Sequence, residues 1–196
     1  IQEAYEMLQK AAARTDGLSG LESGFHALDK MTSGWQDSDL VIIAARPAMG
    51  KTAFVLSMAK NMAVNARIPV ALFSLEMSNV QLVNRMIVNV CEIPGEKIKS
   101  GQLAPYEWGQ LDYKIKELYD APLYVDDTPS LSVFELRTKA RRLVREHNVK
   151  IIIIDYLQLM NASGMSFGSR QEEVSTISRS LKGLAKELNI PIIALS

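Results

Sequence analysis

Val41-Ile42-Ile43-Ala44 runs into Ala45-Arg46-Pro47-Ala48-Met49-Gly50-Lys51-Thr52 and then into Ala53-Phe54-Val55-Leu56-Ser57-Met58-Ala59-Lys60. An apolar, β-branched run, a short segment holding Pro and Gly, and an amphipathic stretch predict strand, tight loop and helix in that order. Gly-Lys-Thr then falls at the junction of loop and helix. Successive backbone N–H groups and the positive end of the helix dipole make such a junction a cradle for a polyphosphate. Lys51 brings a mobile ammonium to the β- and γ-phosphates, and Thr52 offers a hydroxyl to Mg²⁺. The expected nucleotide contacts are therefore Ala45, Arg46, Pro47, Ala48, Met49, Gly50, Lys51, Thr52 and Ala53. The usual pattern has glycine where Ala45 stands, and a methyl group fits there if the loop is entered from an extended strand. Gly50 is less replaceable, because the backbone must approach phosphate closely at that point. A bare Gly-Lys-Thr also occurs in ordinary solvated turns; the strand before it and the helix after it separate this one from those.

Outward from this stretch the same alternation repeats. Apolar runs at 41–45, 70–75, 123–126, 151–154 and 191–195 have the length and β-branched content of buried parallel strands. Helical patterns lie between them at about 53–65, 78–91, 105–119, 132–147 and 170–188. The expected fold is α/β, a mainly parallel sheet with helices on both faces and right-handed crossovers. Most methionines (Met7, Met31, Met49, Met58, Met62, Met86) fall on apolar helical or core positions and read as packing.

The bulk properties exclude several classes. The chain of 196 residues is long enough to bury a core, and no apolar run approaches membrane-spanning length, so no membrane partner is expected. No secretory leader is expected, and the single cysteine, Cys91, rules out a disulfide framework within these residues; both fit the expectation of a cytoplasmic protein. Lys plus Arg (22) equals Asp plus Glu (22), so composition lends no support to nucleic-acid binding and any such site must be local. His26 and His147 have no Cys or His at ligand spacing, so no zinc site is expected. The chain opens at Ile1 and stops just after an apolar strand, which reads as a piece of something longer.

Ligands of such folds sit beyond the carboxyl ends of the strands, so the residue ending each strand carries information. Asp155 follows four isoleucines and suits a magnesium-shell carboxylate. Asp126 and Asp127 end another run and are the rival; the four isoleucines mark the deeper strand, and Thr128-Pro129 makes the rival pair turn residues. Hydrolysis also needs a base for the attacking water. Tyr156, not Glu, follows Asp155, which leaves Glu76 at the end of Ala71–Leu75 as the candidate base. Its bland alternative is capping the helix that begins near Ser78. No Asn-Lys-x-Asp guanine-reading motif is present, which favours ATP over GTP.

With these residues in place the resemblance becomes specific. SGFHALDKMTSGW (23–35), ARPAMGKTAF (45–54), FSLEMS (73–78), PLYVDDTP (122–129), IIIIDYLQLM (151–160) and SRQEEVSTISRSLKGLAKELNIPIIALS (169–196) resemble, together and over nearly the whole chain, the ATPase domain of the DnaB family of bacterial replicative helicases. The resemblance implies a RecA-like core in a homohexameric ring. That ring moves on single-stranded DNA with ATP or another NTP and Mg²⁺, alongside primase and a helicase loader. It places Lys51 and Thr52 at the phosphates and metal, Glu76 as catalytic base and Asp155 at the metal. Ala at position 45 is frequent in the family. Arg85, on the helix after Glu76, would approach the base; otherwise it is a surface arginine.

The leading helix, with Ile1, Ala4, Tyr5, Leu8, Ala11 and Ala12 on one face, either folds back or docks on a neighbour, and the resemblance favours the neighbour. The expected organisation is a linker helix at 1–13, a flexible linker at 14–23 and a RecA-like domain at 24–196, cut short at its C-terminal end. The family's γ-phosphate-sensing glutamine, arginine finger and further DNA-binding loop would lie past Ser196, so the isolated chain is expected to be weak or inactive. The Gly/Ser-rich stretch 161–169, with Arg170 at its edge, is either a plain connection or a contributor to DNA contact. The basic face of the 132–147 helix, with Arg137, Arg141 and Arg145, reads as solvated. Alternative readings are a RadA-like repair or clock-type ATPase and a nucleotide-gated ring-assembly module.

Overall fold

A computed structural model describes every residue except Ser163. Among the described residues, strands β1 (Leu40–Ile43), β2 (Val70–Ser74), β3 (Leu123–Asp126), β4 (Ile151–Asp155) and β5 (Ile192–Leu195) form one sheet in the order β1-β5-β4-β2-β3. Every adjacent pair is parallel. The helices are α1 (Gln2–Ala13), α2 (His26–Thr32), α3 (Lys51–Lys60), α4 (Asn79–Cys91), α5 (Gly95–Ser100), α6 (Pro105–Asp120), α7 (Val133–His147) and α8 (Arg170–Leu188). The helical pattern expected through residue 65 continues past α3 as a π-helical segment, Asn61–Asn65. The α/β expectation is met by the sheet and its helices.

The sheet is buried on both faces, and the two-residue period of its strands sorts the core into two layers. Val70, Leu72, Ile151, Ile153, Ile193 and Leu195 pack with Val55, Met58, Met62, Leu82 and Met86 from α3, α4 and the π-helical segment. Ala71, Phe73, Ile152, Ile154, Ile192 and Ala194 pack with Leu136 and Ala140 of α7 and Ile177, Leu181 and Leu184 of α8. The helices that return the chain from β3 to β4 and from β4 to β5 thus lie on the face opposite α3. β4 is central and fully buried, as four consecutive isoleucines require. Met58, Met62 and Met86 are core residues, whereas Met7, Met31 and Met49 are exposed, which corrects their reading as packing.

Within the segment read as a linker, the N–H groups of Ser19 and Gly20 donate to the Ser33 carbonyl, and Leu21 pairs with Trp35. Ser23 is fully buried; its N–H and hydroxyl donate to Asp29 at 2.8 and 2.6 Å. No described residue of α1 is buried.

Candidate functional site

The loop between β1 and α3 gives the site its shape. Met49 N–H donates to the Arg46 carbonyl, and Ala45 N–H to that of Ser196. Gly50, at φ 85°, caps α3; a Cβ there would meet no protein atom within 4 Å. Its glycine is therefore favoured by the left-handed backbone and not by crowding from the protein. Ala48 also has a positive φ of 62°. Ala45 does not, so its methyl group needs no special conformation.

A cavity of about 870 Å³ lies over this loop at the carboxyl ends of the strands. Its walls include Ala45, Pro47, Ala48, Gly50, Lys51, Thr52 and Ala53 from the loop, Glu76, Met77, Gln81 and Arg85 from the β2–α4 side, and Asp155, Tyr156, Gln158 and Ser196. Lys51 Nζ donates to the Ser196 carbonyl at 2.8 Å and lies 5.4 Å from the centre of the Tyr156 ring. Thr52 Oγ1 donates to Asp155 Oδ2 at 3.1 Å. Asp155 is 2 % exposed, and burial pushes its carboxyl above the usual range. The Thr52 hydrogen bond pulls it down, Glu76 raises it further, and Lys51 and Arg85 lower it. One carboxylate and one hydroxyl at hydrogen-bond distance form a hard-oxygen pair suited to Mg²⁺, which takes few protein ligands and completes its shell with water and phosphate.

Glu76 is exposed to this cavity and is not the cap of α4, so the bland reading of it is excluded. The capping box belongs to Ser78 and Gln81: Gln81 N–H donates to Ser78 Oγ, and Ser78 N–H to Gln81 Oε1 at 3.1 Å. Asp127 Oδ2 accepts the Asn79 N–H at 2.9 Å, closing the same helix end. Asp126 organises its turn, accepting the Thr128 N–H at 2.9 Å, and pairs with Lys139 at 2.7 Å. The rival aspartates are therefore committed to structure, and Asp127 serves a helix end remote in sequence instead of the local turn expected of it.

Arg85 lines the cavity, on its α4 wall. Arg46 and Met49 do not; both are exposed, as a loop that offers its backbone to a ligand permits. Sequence reasoning missed Gln81 and Gln158. Gln81 was legible as half of the Ser78-x-x-Gln81 capping box; Gln158, three residues past Asp155, required reading beyond the strand end itself. Arg170 stands at the edge of the 161–169 stretch, whose Ser163 lies outside the described residues, and its guanidinium is engaged by Gln158, Met160 and Glu173. On α7, Arg141 pairs with Glu187 and Arg142 with Glu146, while His147 stacks on Tyr124 with ring centres 4.4 Å apart. No cluster of three metal-ligating side chains occurs among the described residues.

Fold and loop together are those of a RecA-like nucleotide-binding domain. Comparison with known proteins narrows the class. Residues 20–196 match the family described as DnaB-like helicase C terminal domain, and the chain belongs to that family. It is 48% identical to the replicative DNA helicase DnaB of Geobacillus stearothermophilus over 99% of its length and 43% of that protein's. It is 45% identical to the replicative DNA helicase DnaC of Bacillus subtilis, with the same coverage. The chain thus spans less than half the length of these relatives. Among solved structures it superposes on an ATPase domain with a TM-score of 0.91 and 39% identity, covering all of this chain and 70% of that one. It also superposes on a DnaB-like replicative helicase studied with primase, with a TM-score of 0.89 and 38% identity, over 98% of this chain and 47% of that one. No helix among the described residues is long and apolar enough to cross a membrane.

Proposed function

We propose that this chain is the motor domain of a replicative DNA helicase, hydrolysing ATP to move along single-stranded DNA and unwind duplex at the replication fork. The observation that carries the reading is the convergence of Lys51, Thr52, Glu76 and Asp155, from three separate stretches of sequence, on one cavity in a chain of this family.

In this reading the loop N–H groups and Lys51 hold the β- and γ-phosphates, and Arg85 lies along the base. Thr52 and Asp155 would hold Mg²⁺, Asp155 through a water; the ion, when bound, neutralises charge on the phosphate oxygens. Glu76, open to the cavity and free of capping duty, accepts a hydrogen bond from the attacking water and aims it at the γ-phosphorus. Binding energy and catalysis are then almost wholly positioning and electrostatics, as phosphoryl transfer requires.

α1, none of whose described residues is buried, docks its apolar face on the next copy of the chain in a homohexameric ring. Single-stranded DNA, primase and a helicase loader are the partners, and the cytoplasm is the compartment. Support for primase comes from the structural neighbour studied with it. The test is ATP turnover by the full natural chain with and without single-stranded DNA, together with strand separation on a forked duplex. DNA-stimulated turnover and unwinding are expected. Turnover indifferent to DNA, with no unwinding, would replace the motor by a nucleotide-gated assembly module.

A further inference from the structure

Arg170 opens α8, and its guanidinium turns back toward the chain instead of outward. One terminal nitrogen donates to the carbonyls of Gln158 and Met160, the second of these at 2.9 Å; the other donates to Glu173 at 2.5 Å. The remaining oxygen of Glu173 accepts the Ala162 N–H at 3.2 Å. Two side chains one turn apart on α8 therefore grip main-chain groups at 158, 160 and 162, along the segment that leaves Asp155. That segment carries Gln158, whose Nε2 donates to Ser196 Oγ at 2.6 Å in the wall of the nucleotide cavity. Bonds with an ionised partner are roughly twice as strong as neutral ones, and the planar fork of arginine fixes direction as well as distance. Glu173 is held below the usual carboxylate range, first by Arg170 and then by the Ala162 amide, and so stays charged. α8 packs its other face into the core through Ile177, Leu181 and Leu184, which makes its first turn a firm anchor.

We infer that Arg170 is a positioning residue: with Glu173 it latches the Gln158-bearing turn, and with it one wall of the nucleotide cavity, to the first turn of α8. The inference rests on the reading of that cavity as the nucleotide site. It also gives Arg170 an inward task in place of DNA contact. Lysine cannot substitute, because an ammonium lacks the planar fork that spans two carbonyls and a carboxylate.

The test uses Arg170→Ala, Arg170→Lys and Glu173→Gln in the full natural chain, with amide hydrogen exchange over 157–162, with and without ADP and Mg²⁺, as the first readout. The second is kcat and KM for ATP. In the unsubstituted protein ADP slows exchange over both 45–53 and 157–162. In the two Arg170 variants, exchange over 157–162 quickens about fivefold or more and ADP no longer slows it. Their kcat falls about tenfold while KM stays within about threefold, as expected when a wall is misplaced and the phosphate cradle is intact. Glu173→Gln, which keeps both carbonyl bonds of Arg170, shows a smaller change of the same kind. If Arg170→Ala melts globally, Arg170→Lys and Glu173→Gln decide on the same two readouts. Unchanged exchange over 157–162 and unchanged kcat in folded Arg170 variants would overturn the latch alone. Absence of any ADP effect over 45–53 in the unsubstituted protein would overturn the nucleotide reading beneath it.

Discussion

The carboxylates that end β4 and β3 lie on either side of β2, and their surroundings are opposite in kind. Asp155 ends the central strand, is almost wholly buried and receives the hydroxyl of Thr52; burial raises its pKa. Asp126 ends the edge strand and is half-buried. Burial alone would raise its carboxyl too, but the hydrogen bonds of Lys139 and Thr128 outweigh that and hold it below the usual range. A buried carboxylate short of compensation gains most from a cation brought by a ligand, whereas one already neutralised has nothing further to offer. Two aspartates at strand ends, alike in sequence, are thus separated into a candidate binding group and a structural one by how the sheet orders its strands.

This contrast can be broken most directly at Asp155. Asp155→Asn should lower ATP turnover by about 100-fold or more, because charge placed for the transition state is lost. Its urea midpoint should hold or rise, since a desolvated charge is removed. Asp126→Asn should instead keep turnover and lower the urea midpoint, and turnover lost there but kept in Asp155→Asn would exchange the two assignments. Next in size, Thr52→Val should raise the Mg²⁺ concentration for half-maximal turnover about tenfold, the usual scale when a partner of a metal-holding carboxylate is removed. An unchanged Mg²⁺ titration would separate Thr52 from the metal. On the structural side, Ser78→Ala should cost about 1 kcal/mol in urea unfolding, as loss of a helix cap does, while turnover stays within about twofold.

The smallest effect is the pH dependence of the Asp126–Lys139 pair, worth about 0.5–1 kcal/mol for a partly exposed ion pair. The folded pKa of Asp126 lies below its unfolded value. The pair's contribution is therefore fully present above the ordinary carboxylate range near pH 4 and is lost as pH falls through the lowered value. Asp126→Asn should narrow its stability gap to the unsubstituted protein on acidification from about pH 5 to pH 2. A gap that widens instead would reverse the sign argued for this residue.

The strands were legible because short apolar runs bounded by turn residues, β-branched most fully in β4, leave little else to be, and β4 lies within one residue of its expected span. α2 and α5 were not, being seven and six residues long with too few turns to show a helical period. Sheet order was invisible as well, yet it decides which aspartate meets Thr52. At the site, Lys51, Thr52, Glu76 and Asp155 announced themselves by standing at element junctions. Arg46 and Met49 follow from the loop motif alone, since in such a loop it is the backbone, not the side chain, that would meet the ligand. The task of Asp127 at Asn79 joins residues 48 apart and leaves no local signature. Arg170 was read by its charge and position; its grip on two carbonyls is a property of the folded turn.

The central claim is that the cavity binds ATP through its loop and hydrolyses it through Glu76. The measurement that tests it most directly is ATP affinity and turnover of Glu76→Gln beside the unsubstituted full natural chain. The account predicts that turnover falls by about 100-fold or more while the Kd for ATP stays within about threefold, the mark of a lost general base in an intact site. Turnover that survives the substitution would contradict it.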